Sequence, residues 1–398
     1  MKPAPTPQSD QRSPPPSVLW GLALFFLRLG TTAFGGPAAH IAMMEGELVR
    51  RRAWLSRDEF LDLLGVANLI PGPSSTELAI FIGYRRGGWR GLLLGGVCFI
   101  LPAALMTSVL AWAYVRLGAL PQVGAALYGV KPVIIASIAQ ALWGLSRTAL
   151  KSRVLIALAV PCLAASLAGV SPLWLLPSAG LAAALLRKVL ERPREDSGHA
   201  ARILAPVGPL AGTVSLTALS AATPVSLVGV FLVFLKVGAL VFGSGYVLLA
   251  FLRADLVERL HWLTESQLLD AVAVGQVTPG PVFTTATFIG YLLHGGAGAA
   301  VATFGIFLPS FVLVAVSGPL VRRLRDSKAA GALLDGVNVG SLALMASVTW
   351  FLGRTALVDP VTVALCLAAG VLLIRFKLNS LWLVLGGVLV GVGKALLV

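Results

Sequence analysis

Long apolar runs separated by short polar or basic loops dominate the chain. They lie near 18–39, 91–115, 123–146, 154–170 and 172–187, and again near 225–250, 298–321, 332–353, 360–374 and 380–398. Runs of this kind predict membrane-spanning helices, five in each half. The last two of each half sit at or below the ~20 residues that a crossing helix needs, which implies tilt or extension into the interface. Between the first and second runs of each half the pattern changes. An amphipathic approach (45–58 and 253–266) leads into two short helical pieces flanking Pro71-Gly72-Pro73 and Pro279-Gly280-Pro281. Each piece holds about a dozen residues, or ~18 Å at 1.5 Å per residue, too short for ~30 Å of hydrocarbon. A re-entrant helical hairpin is the expected form.

The two tripeptides belong to a long internal repeat. Pro71 and Pro279 stand 208 residues apart, and the same offset pairs Gly30 with Gly238, Phe34-Gly35 with Phe242-Gly243, Trp54-Leu55 with Trp262-Leu263 and Asp62 with Asp270. After the tripeptide the offset falls to 207, pairing Phe81-Ile82-Gly83-Tyr84 with Phe288-Ile289-Gly290-Tyr291, Leu101-Pro102 with Leu308-Pro309 and Gly129-Val130 with Gly336-Val337. The expected organisation is therefore a Pro-rich disordered tail (1–17), a first repeat (18–190), a linker (191–224) and a second repeat (225–398).

Composition fixes the class. With 57% hydrophobic residues, 12% charged and a mean hydropathy of +0.88, the chain exceeds what a soluble core can hide, so a polytopic all-α membrane protein is predicted. The formal charge of +14 sits mainly in short loops, so it reports topology and contact with anionic lipid rather than nucleic acid. Arg85, Arg86 and Arg90 crowd a loop whose counterpart near His294 carries no Lys or Arg; Arg116 stands alone where the second half has Arg322, Arg323, Arg325 and Lys328. Alternation of basic loops predicts halves inserted in opposite orientations, which five crossings per half produce if the hairpins return to their own side. A crossing by 203–222 would instead reassign the second half.

Non-helical backbone survives at membrane depth only when buried in protein or lining a watery cavity, and inverted repeats with broken helices point to secondary transport. After Pro73 the chain reads Ser74-Ser75-Thr76, and after Pro281 it reaches Thr284-Thr285. Free N–H groups and hydroxyls at helix starts make an anion cradle; the alternative is that these residues only cap the helices. Arg28 and its repeat partner Lys236 are expected near the midplane, either as anion ligands or paired with an acid such as Glu77, Asp62 or Asp270. Lys131, whose partner is Asn338, adds an unduplicated cation. Glu77 is also single, its counterpart being Thr284 or Thr285; it is either the proton carrier or a static partner of Arg28 or Lys131. Gly30, Gly35 and Gly36, mirrored by Gly238, Gly243 and Gly245, permit close approach of backbone to backbone or ligand, or serve only as ordinary membrane helix contacts, and Gly35, Gly36, Gly243 and Ser244 are counted with the anion-binding candidates.

Cys98, Cys162 and Cys366 lie in apolar segments without metal-ligand or disulfide spacing, and no cofactor is expected. His40, His199, His261 and His294 fall near predicted span ends or loops, and no nucleophile elbow, zinc-protease motif or phosphate loop occurs, so an enzyme is not expected. A passive anion channel remains the competing class.

The strings Phe34-Gly35-Gly36-Pro37-Ala38-Ala39-His40, Arg51-Arg52-Ala53-Trp54-Leu55 and Leu69-Ile70-Pro71-Gly72-Pro73-Ser74-Ser75-Thr76-Glu77-Leu78-Ala79 resemble the chromate ion transporter family, long fused type. The resemblance covers both halves. It implies a prokaryotic inner-membrane protein of two oppositely inserted domains that expels chromate using the proton motive force, with chromate or a similar dianion, protons and lipid as partners and a homodimer as one assembly open to it. The family commonly shows Asn at the position of Ser74, and the second copy departs from the motif at Ser244-Gly245. Sulfate or another oxyanion is the alternative substrate, because tetrahedral dianions are alike in size.

Overall fold

The computed structural model describes residues 16–118, 120–190, 225–242, 245–317, 328–376 and 378–397, and among these every regular element is helical. Most of the expected tail, all of the linker, Gly243, Ser244 and the loop bearing Arg322, Arg323 and Arg325 lie outside the described residues. Pro16 and Ser17, placed in the expected tail, belong to the first turn of α1 (Pro16–Thr32), where proline has no helical hydrogen bond to lose.

The first half continues with α2 (Gly36–Met44), a π-helical segment (Glu45–Arg51), α3 (Arg57–Ala67), α4 (Ser74–Leu117), α5 (Pro121–Ala149), α6 (Arg153–Leu167) and α7 (Pro172–Leu190). The second half begins with α8 (Leu227–Leu240), followed by a 3-10 turn (Gly245–Val247), α9 (Leu248–Leu252), a π-helical segment (Arg253–Arg259) and α10 (Glu265–Val277). A 3-10 turn (Val282–Thr284) then leads into α11 (Thr285–Ser317), α12 (Lys328–Ala356), α13 (Pro360–Arg375) and α14 (Ser380–Leu397). By length and composition, four helical stretches among the described residues suffice to cross a membrane: 74–117, 121–149, 282–317 and 330–356.

The expected runs 18–39 and 225–250 are not continuous helices. The first breaks between Thr32 and Gly36, where Gly35 and Gly36 take φ of 104° and 72°, and the second breaks after Leu240. Such φ values are open to glycine and strained for residues with a Cβ. Uniform apolarity hid both breaks, since hydropathy measures transfer of side chains and not the pairing of backbone groups.

Local structure repeats at the sequence offset. Both π-helical segments match residue for residue, and Ala53 and His261 share the left-handed conformation with φ of 48° and 52°. Each next helix opens with a capping box, Ser56 with Glu59 and Thr264 with Gln267. Helix α4 bends at Gly87-Gly88 and α11 at His294-Gly295, with matching non-helical angles. The pieces flanking the first tripeptide are α3 and the arm 74–86 of α4, as short as expected.

Glycine contacts set close helix packing both within and between the halves. Gly30 lets α1 lie against the Phe99 carbonyl of α4, and Gly238 lets α8 lie against the Ile306 carbonyl of α11. Across the halves, α5 packs on α14 where Gly129 meets Gly387, and α12 packs on α7 where Gly336 meets Ala179 and Gly180. At the end of α14, the Lys394 ammonium reaches Asp359, the N-cap of α13, at 2.7 Å. That contact, with the Tyr128 hydroxyl, holds the Asp359 carboxyl below the usual carboxylate range. Cys98, Cys162 and Cys366 are free thiols packed in helices.

Candidate functional site

Two backbone hydrogen bonds bring the breaks together. The Gly72 N–H donates to the Val241 carbonyl at 2.7 Å, and the Gly280 N–H donates to the Ala33 carbonyl at 3.0 Å. These are equivalent bonds under the repeat: each tripeptide glycine binds the carbonyl freed where the first helix of the other half ends. Bare carbonyls and N–H groups cost several kcal/mol in hydrocarbon, so the exchange satisfies both breaks at once. Gly72 and Gly280 have φ of 133° and 93°. The helix start at Gly36 also faces Val282 at 4.0 Å, and Gly245 faces Pro37 and Phe283 at 3.9 and 3.8 Å, measured from where a Cβ would lie.

The start of α4 is chemically unlike the start of α11. No side chain caps α4, and the N–H groups of Thr76 and Glu77 turn back to the Pro73 carbonyl, leaving those of Ser74 and Ser75 without a backbone partner. Ser75, Thr76 and Glu77 are buried, Ser74 is half-buried, and the Thr76 hydroxyl has no partner. In the second half the Thr284 and Thr285 hydroxyls donate to the Pro281 and Val282 carbonyls, each at 2.8 Å. Those two threonines are spent on their own backbone, whereas the serines and Thr76 are not spent as caps.

Glu77 is wholly buried and both of its carboxyl oxygens lack a hydrogen-bond partner. It packs over Gly72 together with Ser310: a Cβ on Gly72 would stand 2.2 Å from Glu77 Oε1 and 2.8 Å from Ser310 Oγ. No ion pair joins Glu77 to Arg28 or Lys131, so the static-partner alternative has no contact behind it.

His40, expected near the end of a span, lies just past the break after α1. It is fully buried on α2, with Nδ1 3.3 Å from Ser75 Oγ and Nε2 3.2 Å from the Ala33 carbonyl that Gly280 also uses. Its ring meets Phe99 edge-on. The Gly35-Gly36-Pro37 punctuation before it is the sequence signal that the helix breaks there.

The predicted cations do not gather at the breaks. Arg28 is exposed beside Thr32 in a cavity of about 490 Å³ that Phe25, Met43, Gly46 and Glu47 also line. Lys236, its repeat partner, forms an ion pair with Asp255, the equivalent of Glu47, rather than with Glu77, Asp62 or Asp270. Glu47 itself binds Arg52 and Arg51 at 2.8 and 3.2 Å. Lys131 bridges the halves elsewhere, 3.0 Å from Asp270 and donating to Ser266 at 2.8 Å, while the Tyr114 hydroxyl donates to Asp270 at 2.9 Å. Asp270 lies on α10 seven residues before that helix ends at Val277, or ~10 Å along it. Among the described residues no cluster of metal-ligating side chains occurs.

A chain whose regular elements among the described residues are all helical, with several bilayer-length apolar helices and broken segments that satisfy one another in the interior, is an integral membrane protein of the polytopic α-helical class. The sequence model of the chromate transporter family matches residues 20–185 and 228–392, so the chain belongs to that family. It is 35% identical over 382 residues to a chromate transport protein of Cupriavidus metallidurans, an alignment covering 95% of this chain and 93% of that one. A chromate transport protein of Pseudomonas aeruginosa is 34% identical over 401 residues, covering 97% and 95%. An uncharacterised transporter of Methanocaldococcus jannaschii is 26% identical over 386 residues, covering 94% of each chain. No solved structure matches the chain.

Proposed function

We propose that the protein is a secondary transporter that exports chromate, or a closely similar tetrahedral dianion, from a prokaryotic cell across its inner membrane, driven by the proton motive force. The observation that carries this reading is the uncapped start of α4, where free N–H groups and buried hydroxyls stand at the meeting of two helix breaks. Family membership supplies the substrate. A helix start carries about half a positive charge and N–H groups ready for oxyanion oxygens.

In this reading Ser74, Ser75 and Thr76 hold the dianion, with Pro71, Gly72 and Pro73 setting the turn. Gly35 and Gly36, with Pro279, Gly280, Pro281, Thr284 and Thr285, complete the wall. Arg28, Lys236 and Lys131 supply positive charge along the path; Lys236 must release Asp255, and Lys131 must release Asp270, before either meets the anion. Glu77, with no partner for its carboxyl, trades its proton when the site rehydrates. The two halves, 18–190 and 225–398, lie in opposite orientations with the tripeptides in re-entrant hairpins. Alternating access is their exchange of conformation.

Purified protein in liposomes tests the activity. Chromate uptake is expected to saturate, to exceed sulfate and molybdate uptake, and to accelerate under an imposed pH gradient. Flux that follows the electrical potential with no proton requirement would mark a channel, and preference for sulfate or molybdate would overturn the substrate. Orientation is tested separately by impermeant thiol reagents on Arg90→Cys and Gly296→Cys, both exposed positions just past the two bends. Opposite faces are expected to label; labelling from one face removes the inversion.

A further inference from the structure

We propose that His40 aims the Ser75 hydroxyl, so that dianion binding at the start of α4 requires a proton on the imidazole. The inference rests on the reading of Ser75 as an anion ligand and adds a second protonatable residue to that site.

Hydrogen-bond chemistry fixes most of the arrangement. The Ala33 carbonyl can only accept, so the Nε2 atom that contacts it at 3.2 Å carries hydrogen. In the neutral ring Nδ1 is then a bare lone pair, and its 3.3 Å contact with Ser75 requires the serine hydroxyl to donate. Ser75 so oriented turns its oxygen lone pairs toward the helix start, which repels an oxyanion. When the ring gains its second proton, Nδ1–H donates, Ser75 accepts, and the serine hydrogen is released to point at the anion. One proton thus brings a positive charge and converts a repelling oxygen into a donor.

The surroundings isolate the pair. His40 and Ser75 are 0% and 1% exposed, so water does not compete for the contact. The neighbouring Thr76 hydroxyl is buried and unpartnered at the same helix start. Charged groups on the elements packed around His40 are Arg28 on α1, Glu77 two residues beyond Ser75 on α4, and Glu45, Glu47, Arg50 and Arg51 on the π-helical segment after α2. The last four are engaged among themselves and with Arg52. Among the described residues none of these forms an ion pair with His40. The second half contributes the uncharged Gly280 N–H, which shares the Ala33 carbonyl. Only one half holds the device, because Leu248 stands at the position equivalent to His40 and Val282 or Phe283 at that of Ser75.

The test is chromate KM for the reconstituted full chain from about pH 4 to about 8.5, a window wide enough for a buried imidazole. Wild type is compared with His40→Gln, which cannot take the proton, and Ser75→Ala, which keeps the imidazole. The KM ratio of each variant to wild type is expected to be about tenfold at the acid end, the worth of one charge-assisted hydrogen bond, and to fall toward one at the alkaline end. Protonation of chromate is common to all three proteins and cancels in the ratio. A constant ratio across the range, for either variant, overturns the proposal. Should His40→Gln fail to insert, the Ser75→Ala ratio decides alone. Failure of the wild type to move chromate at any pH refutes the transport reading instead.

Discussion

Gly72→Ala and Gly280→Ala are each expected to abolish chromate transport and to lower the melting temperature of the detergent-purified protein. Gly144→Ala, where a Cβ meets nothing within 4 Å, should leave both unchanged. The two tripeptide glycines combine three demands. Their φ of 133° and 93° is strained for an alanine. A Cβ on Gly72 would overlap Glu77 Oε1, and one on Gly280 would stand 2.7 Å from the Ala103 Cβ and 3.1 Å from the Gly30 carbonyl. Relief by backbone movement would break the N–H bonds to Val241 and Ala33, which hold the two halves together at the breaks. Strain, overlap and loss of a buried hydrogen bond each cost on the order of 1–3 kcal/mol, so their sum is a large share of a typical stability. Wild-type transport and melting in either variant would mean that the tripeptides do not pack against the opposite half.

How far the sequence discloses this arrangement depends on which atoms carry the information. Side-chain identities repeat, so the offset exposed the paired tripeptides and the equivalence of Arg28 with Lys236. Main-chain atoms leave no such mark. The exchange of Gly72 and Gly280 bonds across the halves uses a glycine N–H and a carbonyl, groups that every residue type supplies, and its partners are separated by the whole of an intervening half. The breaks after Thr32 and Leu240 were hidden for the same reason, and with them the burial of His40. Cation partners were missed differently: Lys236 pairs with Asp255 and Lys131 with Asp270 only because distant helices meet, and the repeat offered several acids of equal standing. The predicted threonines show the limit of analogy between halves, since Thr284 and Thr285 bond their own backbone while Ser75 faces His40. Equivalent positions need not do equivalent work once one copy has specialised.

Glu77→Gln is expected to eliminate the acceleration of chromate uptake by an imposed pH gradient in inside-out vesicles, while exchange of labelled for unlabelled chromate persists. Glutamine keeps the volume that fills the space over Gly72 beside Ser310, so the helix start and the contact with the other half stay in place. What it removes is the exchangeable proton. A buried carboxyl whose nearest polar neighbour is the Ser310 hydroxyl adds little to the fold that an amide of the same shape would lose, and an ionised carboxylate there would cost several kcal/mol to keep. Movement of the anion without its proton should then be possible only as one-for-one exchange, in which the site never returns empty. Glu77→Ala separates shape from charge: it also lacks the proton but opens the space above Gly72, so exchange should fall along with coupling. Retention of gradient-driven acceleration in Glu77→Gln would remove Glu77 from the coupling path and leave His40, the other buried protonatable residue at the breaks, to carry it.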